Sequence, residues 1–330
     1  MKPSFITPIL RELAQEMGVD MLIEPTYGYV GCIRLPNGKK RFFRNTCFDL
    51  NGSGSTEIAK DKDYAAFFLK ELGYPVPLGQ AFHTRRWCKA IDSNRTPEKA
   101  WEYAQSLGLP VIVKPNSKSQ GSGVALAHNK REFFKAVTEA STNERVFLVQ
   151  KPVQGKDYRI VVLDGEIISA YERRPLTIQG DGEKTIQELL QTKQAHFNSI
   201  GRDTVLDLKD PRILTTLKRN KLSLNSVIKR GEDIKLLPNA NLSTGGDAVD
   251  LTPSLHPAWK KLCASLSRNM NLRYIGIDIM TETPLNQTPG DYTVIEINAA
   301  PGLDNYASIG ETQMHIVKEL YRKVLMAMLI

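Results

Sequence analysis

Two stretches, Gly276-Ile277-Asp278-Ile279 and Glu296-Ile297-Asn298-Ala299-Ala300-Pro301-Gly302, decide how this chain is read. Residues two apart on a strand face the same side of a sheet, so Glu296 and Asn298 project together. If the strand through Asp278 pairs with theirs, a second carboxylate joins them. Asp and Asn are depleted in strands, and an apolar setting makes an unpartnered carboxylate costly. Two carboxylates and an amide oxygen are hard ligands suited to Mg²⁺, which also draws on water and substrate phosphates. The same residues admit a plainer reading as three polar groups on a sheet surface.

Working outward, the Asp278 strand (274–280) follows an amphipathic helix at 257–270. The Glu296 strand (292–298) is followed by a terminal helix from about 310 to 330. Upstream, Val111-Ile112-Val113-Lys114 is an apolar strand that enters the polar loop 116–122 and leaves as Gly123-Val124-Ala125-Leu126-Ala127. A lysine leaving a buried strand needs an anion, and small residues beyond it let backbone N–H groups approach phosphate oxygens. An ordinary hairpin turn with a snorkelling lysine is the other reading.

The remaining pattern alternates. Helices are expected at 4–17, 58–72 (closed by Gly73), 97–107 (opened by Thr96-Pro97) and 130–140. Residues 20–35 and 39–48 read as two strands around Asn37-Gly38, and 51–55 as a Gly/Ser linker. Residues 146–150 read as a strand, 158–163 with 166–172 as a hairpin around Asp164-Gly165, and 185–225 as helical and polar. Strands and hairpins interspersed with helices give an α+β, or mixed α/β, class with antiparallel sheets.

Composition narrows the function classes. The 330 residues are 41% apolar and 24% charged, which excludes collagen-like, low-complexity and wholly disordered chains. No window is apolar enough for a membrane span, and the N-terminus lacks a secretory pattern. Cys32, Cys47, Cys88 and Cys263 show no CxxC spacing, so reduced thiols and a cytoplasmic location are expected. Lys+Arg 44 against Asp+Glu 36 leaves a charge of +8, hospitable to a polyanion. The densest basic patch, Lys39, Lys40, Arg41 and Arg44, reads as a solvated hairpin, and with no recognition helix or zinc finger near it no nucleic-acid partner is expected. The P-loop, dinucleotide-fold, HExxH and GxSxG signatures are all missing from the sequence.

Taken in order, Lys62, Val111 to Pro115, Gly121-Ser122-Gly123-Val124, Gln150 to Arg159, Asn239 to Gly246, Asp278 and Glu296 to Gly302 resemble the motifs of ATP-grasp carboxylate ligases. More narrowly, Gly180-Asp181-Gly182, the helix after Thr185, Asn239-Ala240-Asn241-Leu242-Ser243-Thr244-Gly245-Gly246 and Asn298 to Leu303 resemble the ATP-grasp region of cyanophycin synthetases and bifunctional glutathione synthetases. The resemblance runs from about residue 55 to 325.

That resemblance implies the ATP-grasp fold, two α+β lobes gripping ATP. It divides the chain into an abbreviated N-terminal domain (1–55), a linker helix and lead-in (56–110), a small lobe with lid and adenine hinge (111–153) and a large C-terminal lobe (154–330). It implies phosphate transfer from ATP to a carboxylate, then attack of an amine on the acyl phosphate. The cofactors implied are ATP and Mg²⁺, two ions, with Mn²⁺ as a substitute. Asp278, Glu296 and Asn298 match the family's metal ligands, and Lys62 and Lys114 its phosphate-binding lysines. Ser119, Gly121, Ser122 and Gly123 belong to a loop that would act as a lid. Backbone groups of Gln150, Lys151 and Val153 would read adenine, and Asp157 stands where a carboxylate holds the ribose.

Asn239, Asn241 and Ser243 would stabilise the acyl phosphate, although loop capping is an alternative for the asparagines. Relatives commonly carry an arginine where this chain has Leu237, a loss that Arg173 or Lys235 would cover. Arg159, Thr244, Gly245, Tyr306 and Ser308 are the expected substrate contacts, Arg159 having a hairpin ion pair as its plainer role. The partners expected are small molecules or peptides, with no membrane and a homo-oligomer as a weak family prior. The second, Mur-ligase-like domain of cyanophycin synthetases does not follow Ile330, so a stand-alone ligase, or a subunit borrowing a partner's surface, is expected. A ligase acting on an acidic peptide tail and an ATP-binding regulatory pseudoenzyme are the alternatives.

Overall fold

The computed structural model describes residues 4–118, 121–202 and 204–330. Helix α1 (Ile6–Glu16) leads into an antiparallel meander of β1 (Asp20–Ile23), β2 (Val30–Arg34), β3 (Lys40–Arg44) and β4 (Cys47–Phe48). The two expected strands are four because local side chains turn the backbone. Glu24 accepts the N–H groups of Thr26, Tyr27 and Gly28 at 2.6, 2.8 and 3.1 Å between β1 and β2. Asn45, at φ 48°, reverses the chain between β3 and β4. The inner face of the meander buries Ile33, Phe43 and Phe48 against Tyr321, Val324 and Met328 of the C-terminal helix. Residues 4–55 therefore share one core with the end of the chain, since so small a sheet cannot bury its own face.

The expected linker at 51–55 is instead the start of a helix, α2 (Ser53–Lys60), and the single helix expected at 58–72 is divided. Asp61 breaks it: extended at φ −99°, its carboxylate accepts the N–H groups of Asp63 and Tyr64 and opens α3 (Lys62–Glu71).

The small lobe comprises β5 (Gly79–His83), α4 (Arg85–Ile91), α5 (Pro97–Leu107), β6 (Val111–Pro115), β7 (Ala125–Ala127), α6 (Lys130–Ala140) and β8 (Val146–Gln150). Its sheet runs β5-β8-β6-β7, with Phe82, Val113, Phe133 and Phe147 in its core. The stretch 56–110 is thus more than a lead-in, because β5 and α5 complete this core. β5 offers only two apolar residues beside a glycine and a glutamine, too little for a strand signal.

The large lobe begins with the long hairpin β9 (Lys156–Leu163) and β10 (Glu166–Arg174). An insertion follows: β11 (Thr177–Gln179), α7 (Ile186–Ser199), α8 (Pro211–Arg219) and β12 (Asp233–Lys235). It holds its own cluster of Leu176, Ile186, Phe197, Leu217 and Leu237, so the polar reading of 185–225 described only its outside. β13 (Asp247–Asp250), α9 (Pro257–Asn269), β14 (Tyr274–Thr281), β15 (Tyr292–Asn298), α10 (Asp304–Ala307) and α11 (Glu311–Leu329) complete the chain. The sheet order is β13-β10-β9-β14-β15, antiparallel throughout.

One sheet face carries Tyr158, Ile160, Ile277 and Ile279 into a core with Trp259 and Leu266 of α9. The opposite face is core at one end, through Val161 and Leu163, and opens at the other end into a cleft between the lobes. Among the described residues no helix is long and apolar enough to cross a membrane. The four cysteines are free, and only Cys47 is exposed.

Candidate active site

The pairing register builds the cleft floor. Asp278 stands opposite Glu296 on one side and Arg159 on the other, while Asn298 pairs with Gly276. Arg159 pairs in turn with Tyr171, and Asp157 with Arg173. Period-two alternation therefore sets Asp157, Arg159, Arg173, Asp278, Glu296 and Asn298 on one face. The cleft holds about 530 Å³, and its lining includes Asp157, Arg173, Asp278 and Glu296.

These charges neutralise one another. Arg159 grips Asp278 with two nitrogens, Nη2 lying 2.8 Å from Oδ2. Arg173 Nη2 reaches the same Oδ2 at 2.9 Å and Asp157 Oδ1 at 2.6 Å. Burial raises the Asp278 carboxyl, but Arg159 and Arg173 outweigh it and hold the group down at about 2. Burial opposes the Arg173 charge, yet Asp278 and Asp157 raise its pKa above the ordinary value. Asp157 is pushed up by burial, against the pull of Arg173. Arg159 is therefore a half-buried partner of the buried Asp278 rather than an exposed hairpin ion pair.

The small lobe supplies cations from above. Lys114, the penultimate residue of β6, is 7% exposed. Burial lowers it to about 8, with Glu296 resisting. Asn116 fixes Lys62 nearby: its carbonyl accepts the Lys62 N–H at 3.3 Å and its side chain the Asp63 N–H at 3.0 Å. The Lys62 ammonium then reaches Glu296 at 3.5 Å and the Lys118 carbonyl at 2.7 Å.

Ile112, Val124, Leu126, Met280 and Ile295 form apolar walls near the connector Gln150-Lys151-Pro152-Val153. Lys151 does not present its N–H to this slot, because that group donates to the Leu78 carbonyl at 2.8 Å. Proline has none, so beyond Lys151 the next N–H of the connector is that of Val153.

Gly121, at φ 68°, sits against the side-chain amides of Asn239 and Asn241, with no room for a Cβ between them. The lobes meet at this point. Both polar atoms of the Asn239 side chain are buried without a hydrogen-bond partner, as is Asn298 Nδ2. Ser243, Thr244 and Gly245 fall outside the cleft lining. The Thr244 hydroxyl donates to the Asn241 carbonyl at 3.0 Å, and Gly245 packs at φ 98° against Leu206 and Leu176.

Tyr306 is not a surface contact: it is fully buried and stacked on Tyr171 at 4.9 Å. Ser308 lines a separate hollow of about 830 Å³ with Arg202, Asn305 and His315. Ser122 is exposed outside the cleft lining, Gly123 is seated against Pro115, and Ser119 lies outside the described residues.

Some residues were missed by sequence reasoning. Glu172, 8% exposed, holds Lys156 at 3.3 Å and Arg174 at 2.9 Å at the cleft edge. It shares a strand face with Ala170, and β10 is buried on both faces along most of its length, so no alternation marked it. Arg202, also 8% exposed, reaches the Gly246 carbonyl at 2.6 Å and the Leu242 carbonyl, bracing the Asn239–Gly246 loop from behind. No periodicity marks it. Leu237 is packed in the insertion core, so the position holds no cation.

The donor set fits a divalent cation. Asp278 is ionised, Glu296 faces it across the ladder, and Asn298, which brings an amide oxygen, sits on the same face. The arginines already share Asp278, so a cation there would have to share it with them.

A family model described as "D-ala D-ala ligase C-terminus" matches residues 68–182. Cyanophycin synthetase of Geminocystis herdmanii is 31% identical over 266 residues, covering 78% of this chain and 29% of that protein. The bifunctional glutathione biosynthesis protein of Streptococcus mutans is 29% identical over 248 residues, covering 71% of this chain and 31% of that one. The chain therefore spans under a third of the length of these curated relatives. The bifunctional glutathione synthetase of Pasteurella multocida shares the fold at TM-score 0.61 and 23% identity, over 97% of this chain and 44% of its own. The chain belongs to the ATP-grasp ligase family.

Proposed function

We propose that this chain uses ATP to join a carboxylate to an amine through an acyl phosphate, releasing ADP and phosphate. The observation that carries the reading is the buried Asn239 amide, unpartnered on both atoms, beside a cleft lined by Lys62, Lys114, Asp278 and Glu296. Buried polar groups without partners are costly, and an arriving phosphoryl oxygen would accept a hydrogen bond from the Asn239 Nδ2.

The roles follow from position. The apolar walls and the Val153 N–H take the base. Asp157 is proposed to hold the ribose, a role it would have to share with its Arg173 ion pair. Lys114 and Lys62 neutralise the phosphates, while Asn239 and Asn241 donate to the developing acyl phosphate. Arg173 is the buried cation that stands in where Leu237 offers none. Mg²⁺ held by Asp278, Glu296 and Asn298 would supply charge neutralisation along the line of transfer. The packing of Gly121 onto the two asparagines leaves little room for water at this point.

The substrates proposed are amino acids or a short peptide, with an acidic peptide tail as a variant. The amine is proposed to approach from the 830 Å³ hollow behind the Asn239–Gly246 loop, where Thr204 links Asn305 at 3.2 Å to the Leu242 carbonyl at 3.3 Å. A regulatory, non-catalytic nucleotide binder is the second reading, favoured by the engagement of both Asp278 oxygens by arginines, Oδ1 by Arg159 and Oδ2 by Arg159 and Arg173.

ADP release with Mg²⁺ and ATP against a matrix of amino acids and acidic peptides tests both, with Glu296→Ala as the blank. The ligase reading expects release that needs a carboxylate and an amine together. ATP binding with no pair exceeding the blank would support the regulatory reading instead.

A further inference from the structure

Helix α8 of the insertion reaches across to the small lobe from both of its ends. Arg212 and Arg219 stand two turns apart, so they share one face of the helix at about 10 Å from each other. Ile213 and Leu217 anchor the helix in the insertion core. From the first turn, Arg212 Nη1 donates to the Gly121 carbonyl at 3.5 Å. From the last turn, Arg219 Nη2 lies 3.1 Å from Glu132 Oε2 on α6. Among the described residues no other side-chain hydrogen bond or ion pair joins the insertion to the small lobe.

Both halves of this junction are fixed on their own elements. Asp210, the N-cap of α8, accepts the Arg212 backbone N–H at 2.8 Å and grips its guanidinium through Nε at 3.0 Å and Nη2 at 2.6 Å. Nη1 is the arm left for Gly121. Glu132 sits in the first turn of α6, where Asn129 accepts its N–H at 3.0 Å and its own carboxylate accepts the His128 N–H at 3.0 Å. Side chains held in place beforehand lose little entropy when they meet.

The two contacts act on what the small lobe brings to the cleft. Gly121 is the residue that packs on Asn239 and Asn241. Helix α6 shares a core with Val111 and Val113 of β6, the strand that carries Lys114. The Arg219 and Glu132 side chains are 46% and 38% exposed, so their pair is weak enough to release.

We propose that α8 is a clasp that holds the small lobe closed on the cleft, with Arg212 as a positioning residue for Gly121 and the Arg219–Glu132 pair as the outer fastening. Its opening sets the rate at which nucleotide leaves. That last step rests on the nucleotide reading given above; the clasp itself does not.

Two measurements on the full chain separate these parts. Hydrogen exchange of residues 121–127 without ligand reports the clasp, and stopped-flow release of a fluorescent ADP analogue with Mg²⁺ reports its effect on nucleotide. Arg219→Gln and Glu132→Gln each remove one charge, and the latter keeps an acceptor for the His128 N–H. Each should speed exchange and release about three- to fivefold, and the double variant no further, since the two act through one contact. Arg212→Ala should speed both about tenfold, with Arg212→Lys in between. Association of the analogue should stay within about twofold, which a general loss of fold would not allow. Raising NaCl from about 50 to about 500 mM should erase the difference between the unaltered chain and Arg219→Gln.

Unchanged exchange in Arg219→Gln and Arg212→Ala, or additive effects in the double variant, would overturn the clasp. Faster exchange with unchanged release would overturn its control of nucleotide. Should the unaltered chain bind no ADP analogue, the nucleotide reading fails, while faster exchange in the variants would still support the clasp.

Discussion

Arg173 Nη2 lies 2.9 Å from Asp278 Oδ2, and the same nitrogen lies 2.6 Å from Asp157. One guanidinium thus bridges two carboxylates that the sheet register carries on strands β14 and β9. Its loss would leave both acids short of a counter-charge at the cleft floor.

Arg173→Ala is therefore expected to destabilise the protein by about 3–5 kcal/mol, the cost of breaking a buried pair from one side. Urea denaturation measures it. Arg173→Lys should recover less than half, because a single ammonium cannot match the guanidinium geometry. A loss within the range of a surface ion pair, below about 1 kcal/mol, would contradict the network.

Lys114, lowered to about 8 by burial, makes nucleotide affinity depend on pH. Below that value it is an ammonium that meets the phosphates. Above it, binding must take up a proton, so the Kd for ATP should rise, by up to about tenfold per pH unit. Lys114→Arg should flatten this limb in calorimetric titrations. In the ligand-free protein the trend reverses: between about 8 and the ordinary lysine value near 10.4 the unfolded chain binds more protons. This group's contribution to stability therefore grows as pH rises through 8.

Gly121→Ala adds a Cβ between the amides of Asn239 and Asn241 at a residue with φ 68°. ADP formation should fall about tenfold or more, because the lobes can no longer meet there. Gly73→Ala is the control: φ is 84° and nothing lies within 4 Å of the new Cβ. That substitution should cost about 1 kcal/mol of stability and leave turnover intact.

Asn239→Leu should separate stability from activity. It removes two buried, unpartnered polar atoms, so the ligand-free protein is expected to keep or raise its Tm, by up to about 4 °C. Turnover should drop about a hundredfold with the lost donor. A lower Tm with normal turnover would show that Asn239 serves the fold and not the reaction.

Much of the site was legible because a strand's period of two is short and local. Glu296 and Asn298 share a face for that reason, and the pairing of Asp278 with Glu296 needed only the two strands to meet. Lys114 at the end of an apolar strand was legible in the same way. Tyr306 was misplaced because its neighbours in the chain say nothing of Tyr171, which lies far upstream and stacks on it. That the Lys151 N–H is held by Leu78, a partner across the small-lobe sheet edge, was not legible, because Leu78 lies far from it in the chain.

By itself, then, the sequence determined the α+β class, the order of the motifs and which side chains share a strand face, all consequences of local geometry. Only the tertiary structure decided that Asp278 is shared by Arg159 and Arg173, that the N-terminal meander and α11 form one core, and that Gly121 closes on Asn239. Each of these joins residues many positions apart. Such contacts depend on which strands become neighbours and on how burial and charge balance there, and no short window of sequence carries that information.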